Sequence, residues 1–185
     1  MQYKTAALKN GQTVSLSWLD ESELPELVEA LNTVIREQKY LLQLREIHDL
    51  LAEQRWFLET QKEGMRYLVA KLDGKIVGGA TLTPLTGKRE HIAEFGIFIT
   101  QSYRNLGLGT ILTKALIEVS RKSGFEIIQL SLFSNNKRAR HVYKKCGFKK
   151  AGKLIDDIKF PDGTYTDTII MEKILRQTKS TQKKP

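Results

Sequence analysis

The segment Arg104-Asn105-Leu106-Gly107-Leu108-Gly109-Thr110 lies where an apolar strand pattern changes into a helical one. Its two glycines expose backbone N–H groups and permit tight or positive-φ geometry. These N–H groups begin a helix, whose dipole is positive at that end, so the segment predicts a cradle for an anion such as a pyrophosphate. The alternative is a plain glycine turn, which a short Gly-x-Gly alone would favour.

Two common nucleotide motifs do not fit this segment. No Gly-Lys-Ser/Thr follows it, and Leu112 stands where a third glycine would be needed. The segment is therefore neither a Walker A loop nor a complete Gly-x-Gly-x-x-Gly fingerprint. Nucleotide hydrolysis and Rossmann-type redox chemistry are not favoured.

The residues on both sides of the segment predict a strand–helix–strand crossover. Residues 91–100 have a strand pattern, and a helix over 107–122 carries an apolar stripe that ends at Gly124. Residues 125–133 are apolar enough for a strand that is covered on both faces. Because such a crossover joins parallel strands, we expect these two strands to run in the same direction.

Turn signals extend the pattern along the rest of the chain. Asp73-Gly74 between two apolar runs predicts a two-residue hairpin, and Asp20 or Ser22 can cap the first helix. The predicted order β-α-α-β-β-β-α-β-α-β-β describes an α/β fold with flanking helices and a mixed, mostly antiparallel sheet around the parallel pair. The other predicted elements are a strand over 13–18, helices over 24–35, 47–61 and 136–146, and strands over 67–72, 75–82, 148–158 and 165–174.

The composition is that of a globular protein with a basic surface. The chain has 185 residues, 41% of them apolar, which suits one domain over residues 1–175. Its net charge of +9 favours an anionic partner, and the alternative is a solvated surface without such a partner. The basic residues 176–185 are predicted to form a flexible tail. No apolar run approaches the ~20 residues of a membrane span, and the N-terminus has no signal-peptide core. We therefore expect a cytoplasmic protein without a membrane partner, and the single Cys146 excludes an internal disulfide.

Two motifs together resemble one known family. Arg104-x-x-Gly107-x-Gly109 is similar to the Gln/Arg-x-x-Gly-x-Gly/Ala loop of the GNAT superfamily of N-acetyltransferases. The stretch from Asn136 through Tyr143 to Gly147-Phe148 is similar to the second signature of that family. The resemblance covers about residues 67–175. It implies the GNAT fold, in which the central parallel strands splay apart, and transfer of an acetyl group from acetyl-CoA to a primary amine.

The resemblance also implies where acetyl-CoA binds. The amides of the glycine loop would hold the pyrophosphate, and the preceding strand would bond the pantetheine arm like an added strand, with an amide near Phe98 or Ile99 stabilising the tetrahedral intermediate. Asn136 matches the asparagine beside the pantetheine, and its alternative role is to cap a helix. The implied cofactor-binding residues are Ile97, Phe98, Ile99, Arg104, Asn105, Leu106, Gly107, Leu108, Gly109, Thr110 and Asn136.

Tyr143 and Glu94 are the candidate catalytic residues. Tyr143 matches the tyrosine that protonates the leaving thiolate in the family, whereas its helical spacing alone would favour core packing. Glu94 matches a glutamate of relatives that resemble phosphinothricin acetyltransferase, and it would take a proton from the amine; an exposed strand glutamate is its alternative. Some peptide-acetylating relatives carry their base where this chain has Ser131, so a ribosomal N-terminus is not favoured as the acceptor.

No metal site is expected from the sequence. His48, His91 and His141 have no metal-ligand spacing. The proposed reaction needs no metal because the thioester is already activated and positioning contributes much of the rate.

One alternative keeps the fold without the reaction. A basic, non-catalytic module that binds nucleic acid or another anionic partner would explain the charge and a lysine cluster formed by Lys144, Lys145, Lys149, Lys150 and Lys153. The chain lacks an RNP aromatic pattern, a zinc finger and a helix-turn-helix, so nucleic acid is not favoured.

The sequence leaves open whether the acceptor amine belongs to a small molecule or a protein. It places the acceptor pocket between the helices of residues 20–61 and the hairpin of residues 156–165, and it is compatible with a homodimer.

Overall fold

The computed structural model describes residues 2–176, and strands and helices follow one another along them in nearly the predicted order. The predicted tail, apart from Arg176, lies outside the described residues. The strands are β1 Gln2–Ala7, β2 Thr13–Trp18, β3 Arg66–Leu72, β4 Lys75–Pro84, β5 Ile92–Ile99, β6 Ile127–Phe133, β7 Lys149–Lys159 and β8 Tyr165–Ile174. The helices are α1 Leu24–Ile35, α2 Leu50–Lys62, α3 Leu108–Lys122 and α4 Lys137–Lys145.

An eight-stranded mixed sheet runs through the protein in the order β1-β2-β3-β4-β5-β6-β8-β7. Neighbouring strands are antiparallel except β5 and β6, which are parallel. The predicted crossover and the predicted fold class are therefore confirmed. The parallel pairing extends only from Ile92–Ile127 to Glu94–Gln129. Beyond those residues the two strands diverge, as the resemblance implied.

Turn chemistry determines several boundaries as the sequence predicted. Asp73 and Gly74 both have positive φ, 49° and 82°, and join β3 to β4 in a tight hairpin. Asp20 caps a short 3₁₀ turn that leads into α1, and the carboxylate of Glu23 accepts from the Asp20 N–H in return. This reciprocal capping box satisfies two donors that would otherwise lack partners.

Two local predictions were wrong. The sequence predicted no strand before residue 13, but Gln2–Ala7 forms β1 along the edge of β2. Its short, weakly alternating sequence becomes a strand because β2 offers an unpaired edge. The second helix was predicted to begin at Ile47 but begins at Leu50, because the Ile47 N–H donates to the Asn32 side chain and Asp49 caps the helix.

The sheet separates two apolar layers. The helices α3 and α4 cover one face, where Leu112 and Leu116 are fully buried against the strands. The helices α1 and α2 cover the other face, where Leu27 and Phe57 are buried. Each such side chain contributes about 1.5–3 kcal/mol by leaving water. This packing fixes the sheet in place on both sides of the gap between β5 and β6.

None of the helices within residues 2–176 is long and apolar enough to cross a membrane. The same part of the chain contains no group of three or more His, Cys, Asp or Glu side chains that is placed to hold a metal ion.

Candidate active site

A cavity of about 740 Å³ lies where β5 and β6 diverge. Its lining comes from both faces of the sheet: Glu94 and Ser131 lie on the side of α1, and Val142 and Tyr143 belong to α4 on the opposite side. The cavity therefore passes through the sheet. Groups attached to opposite faces can reach one extended molecule that lies in the gap.

The free edge of β5 borders this cavity. The N–H of Thr100 donates to the carbonyl of Val77 on β4 at 3.1 Å. Because backbone groups alternate in direction along an antiparallel pair, Phe98 also bonds toward β4, and Ile97 and Ile99 turn theirs toward the gap. Of the three residues expected to bond a pantetheine arm, two therefore present backbone groups to the cavity. The third, Phe98, buries its ring in the α1 layer.

The glycine loop places the N-terminus of α3 beside the same cavity. Gly107 has φ 92° and Asn105 has φ 64°, so the chain turns sharply before Leu108. The N–H of Thr110 donates to the carbonyl of Gly107. Within residues 2–176, no backbone carbonyl accepts from the N–H groups of Leu108 and Gly109. Two amides at the positive end of a helix thus remain available for an anion.

Gly109 lies where the loop faces Ile99 of β5 and Val142 of α4. A Cβ atom at Gly109 would lie 3.3 Å from the Cδ1 of Ile99 and 3.8 Å from a methyl group of Val142. The missing side chain keeps open the passage from the helix N-terminus to the strand gap. On the far side of the loop, the carbonyl of Leu106 accepts from the N–H of Lys9 at 3.0 Å and anchors the loop to the β1–β2 turn.

Arg104 is held by protein groups. Its Nε–H donates to the carbonyl of Ile99 at 2.9 Å, and its two terminal nitrogens bind both carboxylate oxygens of Glu37 at 2.6 and 2.5 Å. The guanidinium also lies over the ring of Tyr40, 5.8 Å from its centroid. The sequence predicted a cofactor-binding role for Arg104, but its side chain makes contacts that the sequence did not predict.

The helix α4 brings Asn136 and Tyr143 to the cavity. The Asn136 side chain accepts from the N–H of Ala139 at 3.1 Å, so it caps the helix while it lines the cavity. Tyr143 is only 5% exposed and packs its ring 5.8 Å from the rings of both Phe95 and Phe148. Its hydroxyl has no hydrogen-bond partner among the described residues. The packing role and the site role considered for Tyr143 are compatible.

Burial keeps the Tyr143 hydroxyl protonated over a wider pH range than that of an exposed tyrosine. Loss of solvent, with a smaller effect from Cys146, raises the pKa of the Tyr143 hydroxyl well above its ordinary value. The hydroxyl is therefore protonated at neutral pH. A protonated hydroxyl that borders the cavity can donate to a thiolate but cannot act as a base.

Glu94 begins a polar wall on the α1 side of the gap. Its register partners are Thr83 on β4 and Gln129 on β6, and its side chain is exposed toward the cavity. The Oε1 of Gln129 accepts from the guanidinium of Arg89 at 2.7 Å. Sequence reasoning missed Arg89 and Gln129, because a turn residue and an alternating strand residue gain this role only when β5 and β6 pair.

The open end of the cavity is mostly apolar, with Gln43 and Asp157 as its polar members. The connection between α1 and α2 contributes Tyr40, Leu41 and Leu42, and the β7–β8 hairpin contributes Leu154 and Ile158. No lining residue comes from α2. The expected acceptor side of the site is thus formed mainly by the loop between the two helices and by the hairpin.

Comparisons with known proteins agree with this geometry. Residues 28–148 match the Acetyltransferase (GNAT) family. The L-amino acid N-acetyltransferase AaaT of Escherichia coli is 31% identical over 117 residues, which cover 62% of this chain and 72% of that protein. The L-methionine sulfoximine/L-methionine sulfone acetyltransferase of Pseudomonas aeruginosa is 28% identical over 136 residues, which cover 71% and 78% of the two chains.

A solved structure shows the same fold with a ligand. The structure of yncA from Salmonella typhimurium with its cofactor acetyl-CoA has a TM-score of 0.80 and 19% sequence identity to this chain. The match covers 90% of this chain and 96% of that one. At this identity the likeness establishes the fold.

Proposed function

Because the chain belongs to the GNAT family and is an acetyl-CoA-dependent N-acetyltransferase, we propose that its acceptor is the α-amine of an L-amino acid with an apolar side chain. The observation that carries this proposal is that Glu94 and Arg89 both lie beside Gln129 on one wall of the cavity. The comparisons do not favour the non-catalytic alternative.

Acetyl-CoA would lie along the glycine loop and the free edge of β5. The open amides of Leu108 and Gly109 suit the pyrophosphate. The backbone groups of Ile97 face the gap beyond the β5–β6 pairing and suit the pantetheine amides, whereas the Ile99 carbonyl already accepts from Arg104 and only the Ile99 N–H is left for the thioester end. Asn136, at the start of α4, lines the same cavity. The thioester would then reach the gap between Glu94 on one face and Tyr143 on the other. The basic charge of the protein, +9, adds a long-range attraction for the phosphates.

The transfer then follows from the groups at the gap. Glu94 takes a proton from the ammonium of the acceptor, directly or through water, and the neutral nitrogen attacks the thioester carbonyl carbon. The N–H of Ile99, which turns toward the gap, donates to the oxygen that becomes negative. The nitrogen of the tetrahedral intermediate then gives its second proton to solvent, and Glu94 also passes the proton that it took to solvent. As the C–S bond breaks, the Tyr143 hydroxyl protonates the thiolate. Solvent returns a proton to the tyrosine after coenzyme A leaves.

A zwitterionic acceptor fits the polar wall. The Arg89 guanidinium is held beside Glu94 through Gln129, and among the described residues no carboxylate lies within salt-bridge distance of it. A guanidinium without a carboxylate partner can bind the carboxylate of an amino acid in two parallel hydrogen bonds. The ammonium of the same molecule would then face Glu94. A side chain next to the α-carbon would point toward the apolar end formed by Leu42 and Leu154.

Two relatives support this class of acceptor. Their names describe acetyltransferases of L-amino acids and of L-methionine sulfoximine or sulfone. A polyamine is a poorer candidate, because a chain with a net charge of +9 repels a polycation at long range.

An acceptor screen tests the proposal. Release of free thiol from acetyl-CoA would be followed with apolar L-amino acids, their carboxamides, spermidine and a short peptide. We expect turnover to be fastest with the free amino acids. Arg89→Gln should raise KM for an amino acid by about tenfold or more, and leave KM for its carboxamide nearly unchanged. Faster turnover of spermidine or of the peptide would refute the assignment.

A further inference from the structure

The ion pair between Arg104 and Glu37 joins the two halves of the site. Arg104 belongs to the glycine loop and also bonds the carbonyl of Ile99 at the end of β5. Glu37 belongs to the connection between α1 and α2, residues 36–49, which we name the cover segment. The two side chains are only 12% and 15% exposed, and the contact is bidentate, which fixes direction as well as distance.

The remaining polar contacts of the cover segment lead to α1, to α2 or back to the segment itself. The Asn32 side chain bonds both backbone groups of Ile47 at 2.9 and 2.8 Å. The Gln38 side chain donates to the carbonyl of Leu44 within the segment. Among the described residues, Arg104 is therefore the one polar link between the cover segment and the strand and loop proposed for acetyl-CoA.

The middle of the cover segment forms part of the cavity. Tyr40, Leu41 and Leu42 line it, and the ring of Tyr40 contacts the Arg104 guanidinium. Leu41 packs against the apolar layer of α1, but Leu42 is 70% exposed, so apolar packing holds only part of this wall. The position of this wall depends strongly on the residue that anchors it.

We propose that Arg104 and Glu37 are positioning residues that couple the two substrates: when acetyl-CoA binds and fixes the glycine loop and β5, the ion pair fixes the cover segment against the acceptor. This inference rests on the proposed placement of both substrates. By reciprocity, acceptor binding should tighten acetyl-CoA by the same factor. Because the fork of Arg104 is occupied by Glu37 and Ile99, the side chain acts through them and not on the phosphates.

Hydrogen–deuterium exchange on the purified protein tests the coupling without any acceptor. Acetyl-CoA alone should slow exchange over residues 38–44 in the wild type. The isosteric variant Glu37→Gln loses the charge of the pair, and Arg104→Lys loses its bidentate geometry. In both variants we expect the protection over residues 38–44 to be lost, while protection of residues 105–110 by acetyl-CoA remains.

A matched control lies in the same segment. Arg36 and Glu46 form a surface pair at 2.9 Å, with side chains 57% and 30% exposed. Because an exposed pair contributes little, Glu46→Gln should behave like the wild type in every measurement. A loss of protection in this control would show that any change in the segment has the same effect, and it would overturn the specific role of Glu37.

Kinetics separate positioning from a direct role in cofactor binding. Glu37→Gln should raise the acceptor KM by about tenfold, within the range typical of coupled sites, and should leave the affinity for acetyl-CoA within about twofold. An equal or larger loss of acetyl-CoA affinity, or unchanged protection over residues 38–44, would overturn the proposal. If the wild type acetylates no amino acid, the proposed acceptor is wrong, and the exchange experiment still decides the role of the ion pair.

Discussion

Replacing Tyr143 by phenylalanine removes one oxygen and leaves the packing of the ring intact. The ring is wedged between Phe95 and Phe148, with centroid distances of 5.8 Å to each. The lost hydroxyl has no hydrogen-bond partner among the described residues. Its removal should therefore change the free energy of unfolding by less than about 1 kcal/mol, because no hydrogen bond within the described residues is lost. Truncation to alanine would instead cost about 3–5 kcal/mol.

The effect of Tyr143→Phe on the reaction should be much larger. Proton donation by a positioned acid contributes about 10²–10⁴-fold to the rate, which corresponds to about 2.7–5.4 kcal/mol of barrier. Because burial raises the pKa of the hydroxyl, the group remains protonated throughout the range in which such enzymes are assayed. The ratio of wild-type to variant rates should then be the same at every pH between about 6 and 9.

Single-turnover kinetics with saturating acetyl-CoA measures this ratio, since product release could hide it in steady state. Denaturant unfolding of both proteins provides the control for stability. A phenylalanine variant that transfers the acetyl group at the wild-type single-turnover rate would show that the hydroxyl has no chemical role. Tyr143 would then be a packing residue only.

Three further predictions follow from the same site and from its rim. Gly109→Val should fold, because valine is tolerated in the first helical turn. Calorimetry should show that the variant binds acetyl-CoA at least about tenfold more weakly, since the valine methyl groups would occupy the passage that the glycine leaves open. Unchanged affinity would contradict the placement of acetyl-CoA at this loop. Glu94→Gln should lower kcat/KM most at low pH, where free amine is scarce, and a wild-type pH–rate profile would leave water as the base. The Lys153 ammonium, 2.6 Å from the Asp167 carboxylate, and the N–H of Asp156 hold the pKa of Asp167 below its usual value in the folded protein. The ionised carboxylate therefore stabilises the folded protein fully at pH values above the usual pKa. This contribution is lost as the pH falls through the lowered pKa of the folded state. Asp167→Asn should destabilise the protein more at about pH 7 than at about pH 2 in urea unfolding. Equal losses at both pH values would refute the electrostatic explanation.

Much of the fold could be predicted because local chemistry and global structure agree. Asp73-Gly74 favours the positive φ angles of a tight hairpin, and the crossover from residue 91 to 133 requires parallel strands. The residues 2–7 could not be recognised as a strand, because their sequence has little alternation and depends on the neighbouring edge of β2. The start of α2 was misplaced for a similar reason, since the Asn32 side chain fifteen residues away holds Ile47 outside the helix.

By itself the sequence determined the glycine loop, the residues of α4 and the glutamate on β5, because each depends on neighbours along the chain. The loop needs a glycine that permits positive φ, α4 follows from its helical spacing, and Glu94 follows from the alternation of its strand. Only the tertiary structure decided that Glu94 and Tyr143 lie on opposite faces of one gap, because the pairing of β5 with β6 ends at Glu94. It likewise brought Arg89 to Gln129 and joined Glu37 to Arg104. Such pairs are far apart in sequence, and their contact requires the sheet and the helices to be packed first.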